Sequence, residues 1–355
     1  VKGYVLHEAG RASWSDVNPP EPAPYDAIVR PTLVAICTTD VHLIETAGLP
    51  AAVGKPIGHE AVGVVERVGD LVRDFQPGDR VIIPAGGTDW RHPNAQRGEA
   101  KYYQTNNAYF SEDPTVAGVF SELVRAIDVD MTMTPIPDDI SDTQAVMVPD
   151  MVATGFTAAS RMHIEFGDTV AVLGAGPVGL MGIAAAALRG AGQIIAIDSR
   201  ESTTSLARQY GATDVLGHRE GNVAERVMQA TAGRPVDSVM IAAGGNASEL
   251  FATAMRIVKP GGHIANVTLY LDQESVTLPL EGWGFGGVER HLTGVFVQEG
   301  REFYSRLLRL IQVGRLDPAP LVTHTFDGWD GLEEAIDMMR TQDDNVIKPV
   351  VKISS

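Results

Sequence analysis

One glycine loop constrains this chain more than any other feature. Gly174-Ala175-Gly176-Pro177-Val178-Gly179 follows a short apolar run, Thr169–Leu173, and opens the helical stretch that carries Met181–Leu188. This is G-x-G-x-x-G between a strand and a helix, the context in which the motif has a mechanism. The first glycine permits the tight turn, the second lets backbone approach a pyrophosphate, and the third lets helix and strand pack closely. The helix N-terminus then offers free N–H groups and the positive end of its dipole to an anion. Glycine is abundant here, so a tight turn without a ligand is the competing reading. Asp198, 19 residues past Gly179 at the end of the next strand, sits where an acid accepts the adenosine ribose hydroxyls.

The surrounding rhythm agrees with the loop. From Gly155 onward short strands alternate with helices of about ten residues: Gln193–Ile197, Ser202–Tyr210, Asp214–Leu216, Val223–Ala232, Ser238–Ala242, Ala247–Val258 and His263–Leu269. Alternation of this kind predicts βαβ units and a doubly wound parallel sheet. Lys259-Pro260-Gly261-Gly262 reads as a helix stop with a tight turn, and His291–Val297 closes the region. The first 150 residues differ, with β-branched runs at Val1–Leu6, Ala27–Ile36, Ala61–Val68, Arg80–Pro84 and Gly118–Ala126 and little helix. Pairs such as Pro19-Pro20 and Pro77-Gly78 break them, which suggests a compact β-barrel. Residues 85–118 are polar and aperiodic and read as a long surface excursion, while the tail holds helices at Arg301–Val313 and Leu332–Arg340 and an end strand at Pro349–Ile353.

Charge and cysteine content exclude several classes. The 45 acids against 28 bases leave a net charge of −17, which argues against a nucleic-acid partner because phosphate binding needs a basic face. The longest apolar run, Gly179–Leu188, is about ten residues, short of the roughly 20 that a membrane helix needs. No secretory signal is readable at the start of the chain. The single cysteine, Cys37, rules out an internal disulfide framework and fits a reducing, cytoplasmic setting.

Two segments of the first half are chemically dense: Cys37-Thr38-Thr39-Asp40-Val41-His42 and Gly58-His59-Glu60. A thiolate, an imidazole and a carboxylate can form a three-ligand zinc site with an open fourth position. Each residue is also ordinary by itself, for Cys37 can be a packing thiol, His59 a satisfied core imidazole and Glu60 a solvated charge.

These segments, with Ala61-Val62-Gly63, Pro77-Gly78-Asp79-Arg80-Val81 and the glycine loop, resemble the zinc-dependent medium-chain alcohol dehydrogenases nearly end to end. The resemblance is closest to the tetrameric bacterial and protozoal secondary alcohol dehydrogenases that act on 2-propanol. It implies an α/β fold in which a GroES-like β-barrel catalytic domain, residues 1–153 with a return segment 295–355, flanks a Rossmann domain of residues 154–294, with the active site in the cleft. Pro149-Asp150-Met151 before Thr154-Gly155-Phe156 matches that branch's third-ligand segment, so the implied zinc ligands are Cys37, His59 and Asp150, with Glu60 adjacent. Asp40 would orient His59, and a proton relay would run through Thr39, the nicotinamide ribose and His42. Many relatives carry a second, structural zinc on a four-cysteine lobe, but Ala85–Phe120 contains no Cys, so one catalytic zinc is expected.

The expected reaction is hydride transfer between a secondary alcohol or ketone and a nicotinamide cofactor, in a homotetramer. The family's pocket positions hold Ala85, Phe110, Val267 and Gly294, small at several points, which implies room for bulky ketones unless Trp283 or Phe285 refills the space. The 2-propanol branch favours NADP(H) and reads Gly-Ser-Arg after the second Rossmann strand with a Tyr further on. Here the sequence is Asp198-Ser199-Arg200-Glu201 with His218 at the later position. Two fixed negative charges against one positive predict NAD(H) over NADP(H). A zinc polyol dehydrogenase, a zinc-free quinone or enone reductase and a non-catalytic cofactor-binding protein are the rival readings.

Overall fold

Extended β-branched runs and βαβ alternation separate into two units in the computed structural model, which describes residues 1–97, 107–279, 289–341 and 343–353. The first unit is Val1–Ala153 with Val297–Ser355, and the second is Thr154–Phe296.

In the first unit β1 (Lys2–Glu8) and β2 (Arg11–Asp16) form an antiparallel hairpin, then β3 (Ala27–Ala35), β4 (Glu60–Val68), β5 (Arg80–Ile83), β6 (Val124–Ala126) and β7 (Thr134–Pro135) follow. The short helices α1 (Thr38–Thr46), α2 (Val129–Thr132) and α3 (Asp142–Ala145) interrupt them. Strand β3 is apolar on nearly every residue because it is flanked on both edges and buried on both faces. It pairs with β4 along one edge, while β6 takes Ala27–Val29 of the other edge.

The second unit runs α4 (Ala153–Arg161, entering at Thr154), β8 (Thr169–Leu173), α5 (Pro177–Leu188), β9 (Gln193–Ile197), α6 (Glu201–Gln209), β10 (Asp214–Leu216), α7 (Val223–Ala230), β11 (Val236–Ile241), α8 (Ala247–Ile257), β12 (Val258–Asn266) and β13 (His291–Gly294). Its described strands are all parallel, in the order β10-β9-β8-β11-β12-β13. The order reverses between β8 and β11, which are neighbours in the sheet, so the crevice past their carboxyl ends is the topological switch point where such sheets take ligands. Val239, Ile241, Phe251, Ile257 and Ile264 share its core.

The chain then rejoins the first unit with α9 (Arg301–Gln312), β14 (Val322–Asp327), α10 (Leu332–Thr341) and β15 (Lys348–Lys352). Strand β15 completes the second edge of β3, with Val350 opposite Ala35, and Ala35 is in turn opposite Glu60 of β4. Three strand ends therefore meet at one rim: the exit of β3 toward Cys37, the start of β4 at Glu60 and the start of β15 at Lys348. Leu332, Ile336, Met339 and Val351 pack in the same core as Leu6, Val41 and Ile44. No helix among the described residues is long and apolar enough to cross a membrane.

Several local expectations are corrected. Residues 118–123 do not form a strand, since only Val124–Ala126 is one. Phe120 bonds Ile57 and Tyr4 through its backbone instead. Lys259–Gly262 is not a turn ahead of a strand. The helix stops at Ile257, β12 begins at Val258, and the Pro-Gly-Gly is carried within it as an irregularity in the pairing with β11. The stretch 85–118 is not a surface excursion throughout, because Ala108, Tyr109 and Val116 are buried. Strands β2 and β14 went unforeseen, for their half-buried polar residues lack the apolar density of the other strands.

Candidate metal centre and nucleotide loop

Cys37 leaves β3 and caps α1, with its N–H donating to Asp40 Oδ2 at 2.8 Å, so a carboxylate in the first turn both caps the helix and meets its dipole. Gly58, at φ +92°, makes the turn into His59, and a Cβ there would lie 2.5 Å from the Phe120 ring. Asp150 comes from a π-helical turn, Val148–Val152, in which Val152 N–H reaches Met147 C=O at 2.9 Å. Single π turns of this kind concentrate at functional sites. The turn is held from below by Tyr304, whose hydroxyl lies 3.1 Å from Pro149 C=O and 3.1 Å from Glu299 Oε1. Glu299 in turn accepts from Gly86 N–H and from both the N–H and hydroxyl of Thr88.

These elements bring Cys37, His59, Glu60 and Asp150 together, with ligand atoms all within 4.8 Å of one another. His59 Nε2 faces Asp150 Oδ2 at 3.3 Å and Glu60 Oε1 at 3.6 Å. No other cluster of three such groups occurs among the described residues. Glu60 is fully buried; Lys348 Nζ donates to its Oε1 at 2.6 Å while Oε2 has no partner. Burial pushes the Glu60 carboxyl up to about 7 even against the Lys348 charge, with Asp150 adding to the rise and His59 opposing it. For His59 burial alone would lower the imidazole pKa, but Asp40, Tyr109 and Asp150 outweigh it and hold it well above its usual range. A thiolate, an imidazole, a carboxylate and an orphaned carboxylate oxygen, converging in a mostly buried pocket, are the donors zinc takes. The residues fit the ion.

His59 Nδ1, on the opposite side of the ring, lies 3.1 Å from Asp40 Oδ1 and 3.2 Å from the Tyr109 hydroxyl. Thr39 is half-buried with its Oγ1 3.6 Å from Cys37 Sγ, and His42 is exposed one helical turn on, near Glu45 at 3.8 Å. Of the pocket positions, Ala85 is buried beside His59 around a small cavity and Phe110 is 39% exposed. Val267 follows β12 half-buried, and Gly294 ends β13 with open space around it. Trp283 and Phe285 lie outside the described residues.

In the second unit the loop geometry separates the glycines by role. Gly174 has φ +94°, and a Cβ on Gly179 would sit 2.0 Å from Gly174 C=O. Above Gly176 the nearest atom to such a Cβ is Arg200 Nη2 at 3.8 Å, leaving a cradle that a side chain would fill. Gly176 caps α5 without a side-chain bond and Pro177 occupies its first turn, which leaves the N–H groups of Val178 and Gly179 for an anion. This loop fits a dinucleotide. Asp198 is buried and accepts N–H bonds from Ala175 (3.0 Å), Ser199 (2.7 Å) and Arg200 (3.0 Å), with the Arg200 guanidinium at 3.4 Å. Burial would raise its pKa, but Arg200 and the N–H donors keep it below the ordinary carboxylate value. Ser199 Oγ pairs with Nδ1 of the exposed His218 at 2.9 Å.

Sequence reasoning missed Lys348, Tyr109, Tyr304 and Glu299. A lysine opening an otherwise apolar strand was a readable signal for the first. The others carry none, since they act through tertiary contacts from aperiodic or helical segments.

Residues 23–138 match the alcohol dehydrogenase GroES-like domain family and residues 177–312 the zinc-binding dehydrogenase family. The chain is 43% identical over 351 residues to an NADP-dependent isopropanol dehydrogenase of Thermoanaerobacter brockii, covering 99% of each chain. It is 38% identical to one of Entamoeba histolytica, over 99% of this chain and 96% of that one. Among solved structures it resembles the alcohol dehydrogenase TADH from Thermus sp. ATN1, with TM-score 0.86 and 26% identity over the full length of both. With that fold, that donor cluster and those relatives, the chain belongs to the zinc-binding medium-chain alcohol dehydrogenases.

Proposed function

We propose that this chain interconverts secondary alcohols and ketones by hydride transfer to or from a nicotinamide cofactor, with one zinc held by Cys37, His59 and Asp150. The observation that carries the reading is the convergence of these ligands with Glu60 in one cluster. When bound, zinc supplies Lewis acidity toward the alcohol or carbonyl oxygen and the nicotinamide carries the hydride. Asp40 orients His59, and Glu60, tethered by Lys348, stands by as an alternative carboxylate. Thr39 and His42 are i and i+3 on α1 and so share a face. On this reading the Thr39 hydroxyl passes the proton from the buried side and the exposed His42 passes it on to water.

NAD(H) is the favoured cofactor. The relatives named above are NADP-dependent, but here Asp198 occupies the N–H donors around it and pairs Arg200, while Ser199 is engaged with His218. The groups able to greet a 2′-phosphate are thus already taken by an acid or by each other. Ala85, Val267 and Gly294 leave little bulk at the pocket positions, with Phe110 the one large side chain, which favours aryl or branched ketones. A cytoplasmic homotetramer is the assembly we assign. The edge strand β13 and the residues after it leave Leu292 and Phe296 38% and 43% exposed, an apolar edge suited to a second copy.

Metal analysis of the dialysed chain, followed by ketone and alcohol panels with NADH and NADPH, tests the reading. One zinc per chain, lost in a folded Cys37→Ala variant together with activity, is expected. Two zincs, or an active Cys37→Ala, would overturn the ligand set. Inertness toward acetophenone-like ketones would overturn the pocket reading, a preference for NADPH the cofactor choice, and a monomer in light scattering the assembly.

A further inference from the structure

The side of His59 turned away from the ligand cluster is built more elaborately than a lone aspartate requires. Asp40 is fully buried, and an ionised carboxylate only accepts hydrogen bonds, so its oxygens need donors. Oδ2 receives Cys37 N–H at 2.8 Å, and Oδ1 receives both the Tyr109 hydroxyl and His59 Nδ1–H. The Tyr109 hydroxyl oxygen itself accepts the N–H of Gly58 at 3.0 Å, from the residue that precedes His59. Its ring meets the imidazole edge to face, with centroids 5.3 Å apart. Tyr109 is 4% exposed, so its hydroxyl depends on these protein partners rather than on water.

These contacts decide where protons sit. With one lone pair of the hydroxyl taken by Gly58 and the Asp40 carboxylate oxygen nearer on its other side, the O–H points at Asp40 rather than at the 3.2 Å distant Nδ1. Nδ1 then turns its own N–H toward Asp40, and Nε2 is the nitrogen presented to the cluster for a metal. Without the hydroxyl, Asp40 loses a donor, Gly58 N–H loses its acceptor, and the turn that sets the ring loses a fixed point.

We infer that Tyr109 is a positioning residue for the metal centre, fixing the Nδ1–H tautomer and the angle of His59 through Asp40 and Gly58. The inference rests on the reading of Cys37, His59 and Asp150 as zinc ligands. Partners at this remove from a metal typically tune its affinity 10- to 100-fold.

The test compares wild type, Tyr109→Phe, Asp40→Asn and the double variant as full-length chains, titrating zinc against a chromophoric chelator and recording thermal midpoints of the zinc-free forms. Tyr109→Phe is expected to keep one zinc per chain with affinity lowered at least about tenfold. Because the hydroxyl acts through Asp40, adding Tyr109→Phe to Asp40→Asn should cost much less than it does alone. The downfield Nδ1–H resonance of His59 in the zinc form should change its chemical shift in Tyr109→Phe, a signature of altered hydrogen bonding that general loss of stability would not produce. Zinc affinity within threefold of wild type, or strictly additive losses in the double variant, would overturn the role of Tyr109 while leaving the ligand set intact. A wild-type chain that binds no zinc, or binds it independently of Cys37, would overturn the ligand reading and this inference with it. Should Tyr109→Phe fail to fold, Asp40→Asn decides: unchanged zinc affinity there removes the carboxylate path that sets the Nδ1–H tautomer, and the inference falls with it.

Discussion

Replacing Asp198 by glycine probes the cofactor choice at its physical root. The carboxylate occupies the N–H groups of Ala175, Ser199 and Arg200 and neutralises the Arg200 guanidinium at 3.4 Å. Removing it frees three N–H donors and takes one carboxylate away from the Arg200 guanidinium, which together suit an anion. Two terms then push in the same direction. NADPH loses a like-charge contact that, at about 4 Å, costs about 1 kcal/mol in water and about 4 kcal/mol at a surface-like effective dielectric. NADH loses a charged acceptor for its ribose hydroxyls, a contribution of about 1.5–3 kcal/mol. Even with the weaker electrostatic value the sum is about 3 kcal/mol, so the ratio of kcat/KM for NADPH to that for NADH should rise by about a hundredfold. The assay is initial-rate kinetics at saturating ketone with both reduced cofactors, at low and moderate salt. Because the first term is electrostatic, the gain for NADPH should shrink as salt rises. A ratio that moves less than fivefold, or toward NADH, would show that Asp198 neither repels the phosphate nor holds the ribose.

Three further outcomes follow from the geometry. Lys348→Met strands the fully buried Glu60 carboxylate and should cost about 3–5 kcal/mol in urea unfolding of the chelator-treated chain. Lys348 lowers the Glu60 pKa, so its loss raises a folded-state value already near 7. A raised carboxyl pKa gives stability that is lost as pH rises, so the deficit should be larger at pH 8 than at pH 5, and a pH-independent deficit would contradict this. Gly179→Ala drives a Cβ to 2.0 Å from Gly174 C=O and should destabilise by about 3 kcal/mol, the top of the overpacking range, while Gly176→Ala, facing open space, should keep the melting temperature and lose NADH affinity by fluorescence titration. Equal thermal midpoints for the two glycine variants would refute the division of roles. Tyr304→Phe removes two 3.1 Å contacts that hold the Asp150 turn and should cost about 1–3 kcal/mol by thermal unfolding, so an unchanged midpoint would mean the turn stands without them.

What could be read in the chain beforehand was whatever is local. The glycine loop, Asp198 and the βαβ rhythm lie within a few dozen residues and carry their own geometry, and Cys37, His59 and Asp150, which converge in the fold, were singled out because short motifs around them resemble a family. The failures share a cause. Tyr109 lies in an aperiodic stretch, so no pattern marks it as buried, and its significance comes from Asp40 and His59, 69 and 50 residues earlier. Lys348 meets Glu60 across 288 residues through the pairing of β15, β3 and β4, a register no window on the sequence contains. The run Lys259–Gly262 misled because proline and glycine usually end strands, whereas here the sheet carries them as a bulge.

The late arrival of β15 also sets a timetable for biosynthesis. Thr154–Phe296 is continuous in the chain and can fold as soon as it leaves the ribosome, but the unit that holds the proposed metal ligands is split around it. Cys37, His59 and Asp150 are all made early, yet the lysine that neutralises their buried neighbour Glu60 is added only at position 348, and the strand that closes β3 begins there. During synthesis at about 5–20 residues per second, the nascent metal pocket must wait many seconds with its rim unpaired. Zinc capture should therefore follow release of the finished chain. Nascent chains arrested before Lys348 should bind nucleotide but hold no zinc, and tight zinc retention by them would refute this order.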